Sequence, residues 1–179
     1  DTVMVSSCGE AAVSGISLVD SINFLLITLF SSLATGGAVI ASQYIGRGDH
    51  KSASLAAKQL FYASLALSAV LGIIAVFFRK PVLNMVFGSI EADVMAHAQI
   101  YFLLSAISYP FLAVYNAGAA LFRSMGDSRT TMLISILMNT INIVGNAILI
   151  YGFQMAAAGA ATASLVSRAV GAIIITVLL

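Results

Sequence analysis

Charge is what this sequence has least of. Only 8% of its 179 residues are Asp, Glu, Lys or Arg, where a soluble domain carries roughly 25%. Apolar residues make up 60%, and the mean hydropathy is +1.04. So few polar groups cannot clothe a globule in water, which excludes a water-soluble single domain. Two prolines and one cysteine leave no basis for a collagen-like or disulfide-stapled scaffold. The lone Cys8 reads as a small apolar residue near a helix end. A net charge of +1 supplies no basic field for nucleic acid, and no nucleic-acid partner is expected. The two histidines, His50 and His97, are too far apart to read as a metal pair. There is no HExxH pair, no phosphate-binding loop and no glycine-rich dinucleotide turn. No serine or cysteine has a placed acid–base partner. The chain reads as a non-enzyme with no resident cofactor.

What remains is long apolar runs. A bilayer core about 30 Å thick takes roughly 20 apolar residues as helix. The sequence offers an end of one helix at 1–7 and spans near 14–45, 55–78, 94–122, 130–152 and 157–179. Gly152, Gln154 and Gly159 divide the last two. The expected fold is all-α, a polytopic helical bundle in a membrane. The basic residues Arg47, Lys51, Lys58, Arg123 and Arg129 lie in or beside the loops 46–54 and 123–130, against Arg79 and Lys80 on the other side. That bias places those two loops in the cytoplasm and the chain in the cell membrane as a multi-pass protein. The stretch 81–93 reads as interfacial. The chain opens without Met and stops inside an apolar run, so a piece of a longer protein is expected.

The polar residues share faces. At about 100° per residue, Ser135, Asn139, Asn142 and Asn146 fall in a stripe roughly 60° wide. Asparagine brings donors and acceptors that lipid cannot satisfy, so this stripe faces protein or a wet cavity. Ser17, Asp20, Thr28, Ser31, Thr35 and Ser42 lie along one side of the first long span. Asp20 is expected near the outer end of that span, where water can reach it. Ser105, Ser108, Tyr109 and Asn116 lie along one side of the third, beside Pro110. Gly159, Ala163, Ser167 and Gly171 form a small-residue ridge of the kind that lets two helices approach closely. Arg168 beside it needs a carboxylate, a carbonyl or a route to the interface. Serine and threonine stripes alone read as interhelical glue more readily than as a cavity wall, and the three asparagines shift that balance toward a wet cavity. Geometry at this level yields a bundle with a polar interior and no named substrate.

Five segments in order carry a family resemblance: DTVMVSS with CGEAAVSG, ATGGAVIASQYIGRGD, ALFRSMGDSRTTM, MNTINIVGNAILIYG and AAAGAATASLVSRAVG. The chain resembles the N-terminal six-helix half of a MATE (multidrug and toxic compound extrusion) transporter. The resemblance implies half of a twelve-helix protein whose C-terminal six-helix half is a missing partner. It implies a secondary active antiporter that exports small organic, often cationic, compounds in exchange for protons or sodium ions. Asp1 matches the acidic residue that the family uses for cation coupling. Asn142 and Asn146 match the polar positions around it, with sodium possible at Asp1 and Asn142. In some members the second of these positions is an acid, and here it is Asn146. Asn139, Ser135, Thr35 and Asn116 are candidates to line the cavity. Two other functions stay open: a lipid-linked oligosaccharide flippase, which wants a basic cavity for pyrophosphate, and a membrane scaffold without transport.

Overall fold

A computed structural model describes residues 2–179, the side chains of Thr2, Val3 and Cys8 apart. The expectations placed on Asp1 and on the Cys8 side chain lie outside the described residues. A short helix α1 (Thr2–Val5) and a 3₁₀ turn (Ser6–Cys8) lead into α2 (Glu10–Gly46). Then come α3 (His50–Phe77), the short α4 (Arg79–Phe87) and α5 (Ala92–Ser124). The chain ends in α6 (Ser128–Asn146), its π-helical extension 147–152, and α7 (Ala156–Leu178). No strand occurs among the described residues. Five of these helices are long and apolar enough to cross a membrane, α6 counted with its extension.

The ends of the helices follow local chemistry. α2 starts at Glu10, before the uncharged run, because Gly9 takes a positive φ of 114° that breaks the preceding turn. The first turn of that helix tolerates the acid, which meets the positive end of the helix dipole. α2 and α5 stop in the same way. Gly48 and Gly126 take positive φ of 75° and 86°. The next amide, of Asp49 or Asp127, donates to the carbonyl of Tyr44 or Phe122 at 3.0 and 2.9 Å. This closes each helix with a Schellman-type turn. Each aspartate then caps the following helix, accepting from Ser52 N–H in one turn and Thr130 N–H in the other, both at 3.0 Å. Those hydrogen bonds hold both carboxyls below the ordinary aspartate range. The segment 81–93 holds most of α4 and the turn that follows it. It divides at Gly88, whose positive φ ends α4, with Leu83 buried and Met85 fully out on the other face.

α5 lies at the centre and α2 runs parallel to it. The first half of α2 packs against residues 95–113 of α5, and Ala34, Ala38 and Ala41 pack against Ala117, Ala120 and Leu121. The two backbones nearly touch at Gly15, where a Cβ would stand 2.9 Å from the Val94 carbonyl. Pro110 stays inside α5 and frees the Ala106 carbonyl from its intrahelical bond. Gly72 of α3 approaches that oxygen, with room for a Cβ only at 3.1 Å. α7 also runs parallel to α5, and α6 antiparallel to α7. The small-residue ridge of α7 is the seam: Gly159 lies against Leu149, Ala163 against Gly145, and Gly171 against Met138. In lipid such close packing takes the place of a hydrophobic drive between helices.

Candidate functional site

Two polar centres emerge from this packing. The first joins α6 to α7. Gly145 brings Ala163 within reach of a bare backbone, and that contact sets Asn142 against Ser164. Asn142 Nδ2 donates to Ser164 Oγ at 3.0 Å, and Asn146 Nδ2, one turn on, donates to Asn142 Oδ1 at 3.2 Å. Asn146 is buried and Asn142 half-buried. Directly after Asn146 the helix widens into the π segment 147–152, a distortion that recurs at functional sites. α1 packs on this segment and on α7.

The stripe read from the sequence therefore splits. Asn142 and Asn146 come together, and Ser164 joins them. Asn139 is exposed and Ser135 half-buried on the outer side of the same helix, and no hydrogen bond ties either to the pair. Thr35 is exposed on α2, its hydroxyl donating to the Ser31 carbonyl at 2.8 Å. Asn116 is half-buried on α5, with its amide nitrogen in contact with no acceptor among the described residues. Asp1 lies outside the described residues. Ser164 was not singled out from the sequence, because a serine in an alanine-rich helix carries no signal of its own. The contact of Gly145 with Ala163 is what selects it.

The second centre joins α2, α5 and α7. Tyr101 OH donates to Asp20 Oδ1 at 2.9 Å. Asn23 Nδ2 reaches Ser105 Oγ at 3.3 Å, with Asp20 Oδ1 at 3.5 Å, and Tyr109 OH donates to Asn23 Oδ1 at 2.9 Å. Ser108 Oγ donates to the Ser105 carbonyl, and Arg168 Nη1 donates to Ser108 Oγ, both at 2.6 Å. Asn23, Ser105, Ser108, Tyr101 and Tyr109 are all buried. Arg168 thus finds a hydroxyl on α5, not the carboxylate, carbonyl or interface expected from its sequence position. It can do so because α7 runs parallel to α5 and sets residue 168 level with residue 108. Asp20 is ten residues into α2, about 15 Å along the helix at 1.5 Å per residue. The two centres share α7, since Ser164 and Arg168 sit one turn apart on it.

The comparisons with known proteins decide the lineage. The MatE family model matches residues 1–148. This chain belongs to the MatE family. The uncharacterized transporter YisQ of Bacillus subtilis is 32% identical over 99% of the chain and 40% of that relative. A probable multidrug resistance protein NorM of Thermotoga maritima is 29% identical over 98% of the chain and 38% of its own length. A crystal structure of MATE in the bent conformation superposes with a TM-score of 0.93 at 24% identity, over 99% of this chain and 39% of that one. The MatE chain thus spans about 40% of the length of these curated relatives. The MatE membership and the five apolar helices make it a multi-pass membrane protein, and the family is one of transporters, not enzymes.

Proposed function

We propose that the intact protein is a secondary active antiporter of the plasma membrane. It exports small organic compounds, often cationic, in exchange for protons or sodium ions, with the loops 46–54 and 123–130 in the cytoplasm. The observation that carries the coupling part is the ladder from Asn146 through Asn142 to Ser164. It holds amide oxygens and a hydroxyl in line at membrane depth, where polar groups are retained for a purpose. Asp1 precedes α1, and α1 packs on the π segment and on α7. A carboxylate working with these amides would take up a proton, or share a sodium ion with amide oxygens. Either event removes one negative charge from the asparagines' surroundings and biases two arrangements of the helices unequally. The multidrug-resistance relatives support the export of drugs. The basic balance of the two glycine–aspartate turns supports the orientation.

The test is efflux of a fluorescent organic cation from cells expressing the intact protein, wild type against Asp1→Asn. Proton and sodium gradients are collapsed separately. The expected outcome is efflux that the variant loses, with one of the two gradients required. Undiminished efflux in Asp1→Asn would falsify the coupling assignment, and no cation efflux under any gradient would end the drug-export reading.

A further inference from the structure

We propose that Asp20, with Ser21 and Phe24 on the open face of α2, is the contact that holds the positive charge of the transported compound. This rests on the export reading above and gives it an address. Among the described residues Asp20 is the one acidic side chain more than two turns inside a membrane-spanning helix. Its Oδ1 is anchored by Tyr101 and Asn23 on its protein side. Its Oδ2 accepts from no donor among the described residues. The half-buried carboxylate borders the open face of α2, which it shares with Ser17, Ser21, Phe24 and Leu25 of the same helix. Phe24 is 70% exposed there.

The chemistry of that face selects the sign of a ligand. Ser21, Thr28, Ser32 and Thr35 each spend their hydroxyl hydrogen on a carbonyl one turn back in α2, at 2.8–3.2 Å. Their lone pairs are what remains to point outward. α2 carries no Lys, Arg or His along Glu10–Gly46. The face therefore offers acceptors, one carboxylate and one aromatic ring, and no charged donor. An anion would meet the Asp20 carboxylate and no charged donor on α2. A bulky delocalised cation meets a carboxylate, and a ring whose π face attracts positive charge. It is also greasy enough to enter a membrane groove. The rigid anchoring by Tyr101 matters too, since a preorganised carboxylate loses little freedom when the cation arrives.

The probe is tetraphenylphosphonium, bound to the purified intact protein in detergent. Asp20→Asn keeps the side-chain size and an oxygen for the Tyr101 bond, and removes only the charge. Its affinity is expected to fall by about tenfold or more. Phe24→Leu should weaken binding by about threefold. Ser21→Lys, at an exposed position that carries no packing, should abolish binding through like-charge repulsion. Neutral triphenylphosphine oxide should bind Asp20→Asn as it binds the wild type, which separates a charge contact from a damaged fold. Wild-type affinity for tetraphenylphosphonium in Asp20→Asn or in Ser21→Lys overturns the proposal while leaving cation export intact. If the wild type itself neither binds nor exports this cation, the export reading falls first. As a second measurement, a Ser21→Cys variant in a cysteine-free background should react with a charged thiol reagent, and tetraphenylphosphonium should slow that reaction. A thiol at position 21 that never reacts means the rest of the protein covers this face, and overturns the proposal as well.

Discussion

The two polar centres are built from the same kind of helix and differ in what they do with charge. The α6–α7 centre is neutral among the described residues: two amides and a hydroxyl in a ladder. The α2–α5–α7 centre holds a carboxylate at one end and a guanidinium at the other, joined by phenols, an amide and two serines. Neutral amides can be buried once each donor has an acceptor. A charge cannot be buried on those terms, because it needs compensation or water. The second centre accordingly runs from the half-buried Arg168 to the half-buried Asp20 on the open face of α2. The first lies between two helices that touch through Gly145 and Ala163, with Asn146 buried and Asn142 and Ser164 half-buried. Within one bundle, the neutral centre is a short ladder between two helices, and the charged centre spreads over three.

The largest expected effect tests whether the neutral centre works or merely packs. Asn146→Leu should cut cation efflux by the intact protein by about tenfold or more, while Asn139→Leu on the exposed side of α6 leaves it within about twofold. Equal effects would erase the distinction between the buried pair and the rest of its stripe. A second comparison sets charge against neutrality directly. Tyr101→Phe removes a bond to a carboxylate, about 1.5–3 kcal/mol, and Ser164→Ala one to an amide, about 0.5–1.5 kcal/mol. Both figures shrink in a membrane, where such bonds average nearer about 0.6 kcal/mol. Unfolding of the detergent-solubilised protein should keep that order, and the reverse order would mean the charged centre contributes little.

A third pair of variants probes the packing that sets both centres. Gly15→Ala drives a methyl onto the α5 backbone at Val94 and Ala98 and should cost about 1–3 kcal/mol. Gly36→Ala, with open space around it, should gain about 0.5–1 kcal/mol from helix propensity. If both were neutral, the close approach of α2 to α5 would not be what sets Asp20 beside Tyr101.

The smallest effect concerns the turns. Asp49 and Asp127 have carboxyl groups held below their ordinary range by hydrogen bonds to Ser52 and Thr130. A depressed folded-state value stabilises above the unfolded pKa and is lost as pH falls through the folded one. The caps should therefore be at full strength at neutral pH and weaken only in acid below the ordinary aspartate range. In Asp49→Asn with Asp127→Asn this acid-side loss should shrink, as read by melting temperature against pH. An unchanged acid limb would assign it to other carboxylates.

Much of the fold was legible in order along the chain. A run such as 59–78 admits only a helix in lipid, because every backbone polar group must be satisfied within the segment. The two basic loops were equally plain, since charge and glycine interrupt the apolar runs there, while their aspartate caps came from the structure. The site was legible by half. Periodicity put Asn142 and Asn146 on one face, but it put Asn139 and Ser135 there too. A stripe does not say which of its residues a neighbour covers. Asn23 and Tyr101 were not singled out, and Asp20, Tyr109 and Arg168 were visible as polar residues in spans. Their meeting was not, because they lie more than eighty residues apart along the chain in one case and sixty in another.

What the sequence determined by itself was the medium, the number of crossings, the turns and the lineage. Each of these depends on composition or on neighbours a few residues apart. What the tertiary structure alone decided was register. α2 and α7 lie parallel to α5 at heights fixed by the Gly15 contact and the Ile175–Gly118 contact. Those heights bring Asp20 level with Tyr101 and Arg168 level with Ser108. Glycine and alanine can pass one another at many heights with nearly the same local pattern, so only the summed packing of whole helices selects one of them.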